Sequence, residues 1–234
     1  MTSIASNESE YKSGRPLSIG DSFAEGIKLS KGTKWQTQKA LAASSAVVAL
    51  IYILFNQIPA YLIATSPSPS PVLIWVMGTG QVVLMLVTAP LIAGSILLGA
   101  QTATGGKISS RTVNHCYCQM PRLFVVYIAV NVLTAIGLVM FILPGIYLVV
   151  AYMFAIPLAS EKRLTVWAAM ELSRKTVSAH WFGYLGLFTL LMVVNLIAMI
   201  PLGIGLIWTI PWSINTIGVI YRDQFGYIAR GISA

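Results

Sequence analysis

Apolar and polar positions are segregated along this chain in long runs. No Asp, Glu, Lys or Arg occurs between Lys39 and Lys107 (67 residues), between Arg122 and Glu161 (38 residues) or between Lys175 and Arg222 (46 residues). A helix needs about 20 apolar residues, within a range of 17–25, to cross the hydrocarbon core of a bilayer. Each run is too long for one crossing and long enough for two. Each also contains a turn signal: Ser66-Pro67-Ser68-Pro69-Ser70-Pro71 in the first, Pro144-Gly145 in the second, Pro201-Leu202-Gly203-Ile204-Gly205 in the third. Proline lacks the amide donor a helix needs and glycine resists helical order, so these clusters mark reversals. The pattern predicts an all-α polytopic integral membrane protein of six transmembrane helices in three hairpins. The spans fall near 38–63, 72–101, 123–142, 146–160, 181–200 and 206–221. The second is long enough to require tilt or extension past the interface, and the fourth is short.

Two crossings per run return the chain to its starting side each time, so the four charged segments share one face. They hold all 15 Lys and Arg residues, and the positive-inside rule places such a face in the cytoplasm. The expected organisation is a cytoplasmic N-terminal segment (1–36) with an amphipathic helix, a six-helix membrane domain (37–222) and a short cytoplasmic tail (223–234). Residues 1–39 show no apolar stretch before a small-residue cleavage site, so the first hydrophobic segment is expected to be a retained span.

Composition strengthens this reading. Apolar residues make up 56% of the chain and charged ones only 9%, against roughly 25% charged in soluble domains. The net charge of +8 would suggest nucleic acid in a soluble protein, but here it follows from the basic membrane-flanking segments, and no nucleic-acid partner is expected. Cys116 and Cys118 are too close in sequence to close a useful loop, so they supply no disulfide framework.

A basic segment and an aromatic residue precede each hairpin. Leu29-Ser30-Lys31-Gly32-Thr33-Lys34-Trp35 comes before the first. Ile108-Ser109-Ser110-Arg111-Thr112 leads to Arg122 and Phe124, and Leu172-Ser173-Arg174-Lys175-Thr176 leads to Trp181. The second helix of each hairpin carries a proline: Pro90, Pro157 and Pro211. This self-similarity suggests one unit, a short interfacial helix plus a hairpin, used three times. On a helix, Val166, Ala169, Met170, Ser173, Val177 and Trp181 share one side while Glu171, Arg174 and Lys175 share the other, the pattern of a segment lying at the headgroups. Ser18 and Asp21 could cap a comparable N-terminal helix carrying Phe23 and Ile27. The candidate headgroup-contacting residues are therefore Lys31, Lys34, Trp35, Arg111, Arg122, Arg174, Lys175 and Trp181, with membrane lipid as the first partner.

Ile142-Leu143-Pro144-Gly145-Ile146, then Glu161, Ala168-Ala169-Met170-Glu171-Leu172-Ser173 and Tyr221-Arg222, resemble a broad group of uncharacterised bacterial polytopic inner-membrane proteins. That group includes the membrane region attached to some glycerophosphodiester phosphodiesterases. The resemblance covers about residues 85–225. It implies the hairpin architecture and a bacterial inner membrane, and it implies no reaction. No soluble stretch here is long enough for the phosphodiesterase catalytic domain.

The chemistry-bearing residues are few. A charge in hydrocarbon costs several kcal/mol and is kept for use, yet the three runs contain no carboxylate, lysine or arginine, and one histidine, His180. His115 and His180 lack a matched nucleophile motif, and Gly105-Gly106-Lys107 lacks the rest of a phosphate-binding loop. His115-Cys116-Tyr117-Cys118 has ligand-type side chains, but structural zinc sites use four ligands spaced two to four residues apart. Small residues at a membrane boundary are the plainer reading, so no metal, cofactor or catalytic residue is expected. Gln81, Asn131, Thr134, Asn195 and Asn215 are uncharged polar residues within predicted spans. They read first as hydrogen-bonding glue between helices, and in the sharper alternative Gln81, Asn131, Asn195 and Asn215 line a polar cavity. Pro90, Pro157 and Pro211 would then open carbonyls towards it. Gly78, Gly80, Ala89, Ala93, Gly94 and Gly99 would let the second span approach a neighbour closely. Trp75, Trp208 and Trp212 are expected as anchors at the far interface.

These features favour a non-enzymatic membrane scaffold, accessory or envelope-organising protein that holds anionic lipid, another membrane protein or a second copy of itself. A transporter or channel for a neutral or amphiphilic solute is the alternative, since repeated hairpins are a common transporter plan.

Overall fold

The computed structural model describes residues 18–66, 68, 70–106, 108, 110–201 and 203–227, with only the backbone of Lys34. The expectations for residues 1–17, for the tail beyond Tyr227 and for the Lys34 side chain lie outside the described residues. Every regular element described is helical. Helix α1 (Ile19–Tyr52) passes through a π-helical turn (Ile53–Gln57) into α2 (Ile58–Thr65). Then follow α3 (Pro71–Ala103), α4 (Ser110–Tyr117), α5 (Met120–Met140), α6 (Ile142–Ala151), α7 (Ala155–Glu161), α8 (Val166–Ser178), α9 (Trp181–Met199) and α10 (Leu206–Phe225).

Five stretches are long and apolar enough to cross a membrane by length and composition: Trp35–Thr65, Pro71–Ala103, Met120–Met140, Ile142–Glu161 and Trp181–Met199. The sixth expected span, α10, has 20 residues. Thr209, Ser213, Asn215, Thr216, Arg222 and Asp223 lower its mean hydropathy, and it is not among those five.

Local chemistry sets the helix ends. Ser18 caps α1, its Oγ accepting from the Asp21 amide at 3.4 Å and donating to the Asp21 carboxylate at 2.6 Å. Ser70 caps α3 at the Val72 amide, with Pro71 at the first helical position. The π turn ends two residues before Pro59, which has no amide to offer the Phe55 carbonyl, and the helix is wider there.

The structure moves two of the expected boundaries. Pro144-Gly145 is not the reversal between α5 and α6. The reversal is at extended Phe141 (φ −156°, ψ 138°), and Pro144 lies in the first turn of α6, where amides lack helical partners in any case. Close packing of Gly145 against Leu138 is what that pair supplies. The fourth span is also broken, with α6 ending at Ala151 and α7 starting at Ala155, just ahead of Pro157. Ser173 of α8 closes that break, donating to the Ala151 carbonyl at 2.7 Å and accepting from the Phe154 amide at 3.3 Å.

The expected N-terminal amphipathic segment is not a separate flat helix: α1 runs unbroken from Ile19 through position 36 and on to Tyr52. Helices α4 and α8 do precede the second and third hairpins as short separate elements. The apolar side of α8 is the one expected from periodicity, with Ala169, Met170, Ser173 and Val177 buried. It packs on α6, α7 and α5.

Packing is not hairpin by hairpin. Helix α10 lies chiefly against α1 and α3, much less against its hairpin partner α9. The reason is small residues: a Cβ on Gly218 would strike the backbone of Gly99, and one on Gly26 would strike Thr216. Gly80 against Phe55 and Gly94 against Val113 fulfil the expected close approach of α3, whereas Gly78 does not, since a Cβ there would meet nothing within 4 Å. Phe154, Tyr184, Tyr221 and Phe225 close the centre of the core, with Phe154 meeting Tyr184 and Phe225 edge-on at 6.0 and 5.3 Å.

Candidate functional site

The polar side chains gather at one end of the bundle and along the seam between α1 and α10. At the end, Arg222 of α10 donates to Glu25 of α1 at 2.8 Å, to Asp223 at 2.8 Å and to the carbonyl of Ala103, the last residue of α3, at 2.6 Å. Tyr221 donates to Glu161 at the close of α7. Lys162 donates to the Phe225 carbonyl at 2.8 Å. Arg122, at the start of α5, donates to the carbonyls of Arg163 and Leu164. The start of α1, the ends of α3, α7 and α10 and the start of α5 are thus tied together at one charged end.

Along the seam, Asn215 is fully buried and donates to Ser30 Oγ at 2.8 Å, which donates to the Gly26 carbonyl at 2.9 Å. Further along, Gln38 donates to the Ile207 carbonyl at 3.2 Å. That carbonyl is four residues before Pro211, the one whose helical donor proline removes. Four buried oxygens of the two helices, on Thr37, Thr209, Asn215 (Oδ1) and Thr216, have no partner among the described residues. Unsatisfied buried polar atoms are uncommon and call for an explanation in each case.

The sequence-derived candidates divide. Of the four polar residues expected to line a cavity, Asn195 and Asn215 face other helices, Asn195 donating to Ser213 of α10 at 2.9 Å. Gln81 and Asn131 lie on the outer surface, where Asn131 bonds its own helix at the Tyr127 carbonyl. Among the headgroup candidates, Lys31, Arg111 and Lys175 are exposed and Trp35 is 60% exposed. Arg174 pairs with Glu171 at 2.8 Å, and its hydrogen bonds hold the Glu171 carboxyl below the usual range. Trp181 is half-buried against Tyr147, and its neighbour Phe182 is the outward ring, 82% exposed.

The two thiols diverge, Cys116 buried and Cys118 exposed. Burial pushes the Cys116 thiol above its ordinary value, opposed by a hydrogen bond with Ser160 at 3.4 Å. Burial also pushes Tyr227 up to about 12. Among the described residues no group of three or more His, Cys, Asp or Glu side chains comes together to hold a metal.

Sequence reasoning missed Glu25 and Gln38, and named Ser30 and Arg222 only within motifs, without a role in joining helices. One signal was present: Ser22, Gly26, Ser30 and Thr37 recur at spacings of four and seven, one small polar face on α1.

No family model matches the chain, and no solved structure does. A UPF0259 membrane protein of Photorhabdus laumondii subsp. laumondii is 29% identical over 105 residues. The aligned part is 44% of this chain and 41% of that relative, so the chain matches less than half of its length. This chain is a multi-pass membrane protein. An uncharacterised bacterial membrane protein family fits it, whereas these comparisons do not show the likeness to glycerophosphodiester phosphodiesterase membrane regions.

Proposed function

We propose that the protein is a non-enzymatic scaffold or accessory component of the bacterial inner membrane. It crosses six times with both termini in the cytoplasm and holds anionic lipid or a membrane partner at its basic end. The observation that carries this reading is the tying of helix ends. Spans α3 and α7 end, and α5 begins, at the charged end, so α9 leaves from it. Arg222, Tyr221 and Phe225 bring the end of α10 back to Ala103, Glu161 and Lys162. Glu25 puts the start of α1 there too. These contacts support an even number of crossings, and the positive-inside rule favours the cytoplasm for that end.

Cys118 tests the orientation. A membrane-impermeant maleimide is expected to label it in inverted vesicles and to leave it unlabelled in intact cells. Labelling in intact cells would sink the orientation. The lipid role is tested by replacing Lys31, Lys34, Arg174 and Lys175 together with Gln. Binding to anionic liposomes should weaken and lose salt dependence, and unchanged binding counts against that role.

The unpartnered oxygens of Thr37, Thr209, Asn215 and Thr216 favour a second reading, passage of a neutral or amphiphilic solute along the α1–α10 seam. Flux of a neutral solute into proteoliposomes, abolished by Val at the three threonines, supports it. A wild-type protein without flux removes it.

A further inference from the structure

Arg163, between α7 and α8, has φ 51°, in the left-handed region where glycine is at ease and a side chain is strained. The strained turn presents its carbonyl, with that of Leu164, to Arg122. A glycine could present the same carbonyl without strain, so the backbone gives no reason for arginine. Its side chain is exposed and makes no hydrogen bond or ion pair among the described residues. Arg122 uses Nη2 for the two carbonyls, which leaves Nε and Nη1 without a protein acceptor among the described residues. Both arginines line one open notch of about 380 Å3 with Cys118, Gln119 and Pro121. The notch lies at the N-terminus of α5, a 21-residue helix whose dipole adds positive potential there.

We propose that Arg122 and Arg163 together hold one phosphate group in this notch, either the phosphodiester of an anionic membrane lipid or free inorganic phosphate. Two guanidiniums with unpartnered donors suit the paired oxygens of a phosphate. A strained residue whose side chain has no structural task is where function is sought first. The proposal rests on the reading of this end as a membrane interface only for the lipid as source.

The test uses the full chain, delipidated in non-ionic detergent and followed by native mass spectrometry. It is titrated with a short-chain phosphatidylglycerol and, separately, with sodium phosphate. Wild-type protein should take up one tightly bound phosphate-bearing ligand. Arg163→Gly removes the guanidinium and suits the backbone, so it should fold as well as wild type and bind about tenfold more weakly. Lys28→Gln removes an exposed cation of α1 that lies outside both the notch and the headgroup candidates, and should bind as wild type does. Displacement of the lipid by millimolar phosphate identifies a free-anion site, and lipid binding that resists it identifies a headgroup site. Three results would overturn the proposal: no bound ligand in wild type, unchanged affinity in Arg163→Gly, or an equal loss in Lys28→Gln. Detergent solution has no sides, so the Cys118 labelling can fail while this titration succeeds.

Discussion

Two arginine sites share the charged end of the molecule and are built in opposite ways. Arg222 has a side chain only 18% exposed and is surrounded by acceptors: Glu25, Asp223 and the Ala103 carbonyl. Arg122 and Arg163 face an open notch and have no carboxylate partner among the described residues. The difference teaches where each charge is used. Paired with carboxylates of the same chain, a guanidinium joins helices that small residues have already brought together. Left without one, it keeps its field for something outside the chain.

Substitutions can break this comparison, and the largest effect is expected at Arg222. Arg222→Met strands two carboxylates and a carbonyl, and should lower stability by about 2–4 kcal/mol, as for a broken part-buried pair. Unfolding in mixed micelles measures it, and adding Glu25→Gln should restore part of the loss, because the two are coupled. Arg122→Gln frees the Arg163 and Leu164 carbonyls near the surface and should cost about 1–2 kcal/mol. Arg163→Gly should do the reverse: relief of the left-handed strain, about 1–2 kcal/mol, matches or outweighs glycine's added unfolded-chain freedom, about 0.5–1 kcal/mol, so the midpoint should stay or rise. A loss there would show that the Arg163 side chain has a structural task, and would erase the contrast between the two sites.

The smallest effect is expected at Glu171. Its carboxyl is held below the usual range by Arg174, so its ionised form contributes stability that is present above the unfolded pKa and lost as pH falls through the lower folded one. The pair is half-exposed and screened by solvent, so Glu171→Gln should lower the midpoint at neutral pH only slightly. A clear drop would mean that α8 leans on this pair rather than on its buried face. Thiol chemistry gives an independent check on burial: in folded protein a small alkylating reagent should modify Cys118 and spare Cys116 until denaturant is added.

Much of this architecture can be read from local pattern. Charge-free runs of stated length announce the spans, and proline and glycine announce the first and third reversals. The buried side of α8 follows from a spacing of three and four residues. Where the reading missed, a non-local partner was responsible. Pro144-Gly145 has the composition of a turn, yet packing of Gly145 on Leu138 places it inside a helix. Pro157 predicts a kink, but not that Ser173 from α8 would satisfy the groups it frees. Gln81 and Asn131 look the same as Asn195 and Asn215 in a window of sequence, and only the neighbouring helices separate outward-facing from inward-facing amides.

By itself, the sequence determined the class of this protein, an all-helical multi-pass membrane protein, and where its long apolar helices lie, because transfer into hydrocarbon depends on composition and length. The tertiary structure decided which helices meet. Gly99 against Gly218 and Gly26 against Thr216 draw α10 away from α9 and onto α1 and α3, a choice made by shape between segments up to 190 residues apart. It also decided which charges are left over. Arg222 meets Glu25 because two distant helix ends are brought together, and Arg163 is left facing solvent because none of the described helices brings a carboxylate to it.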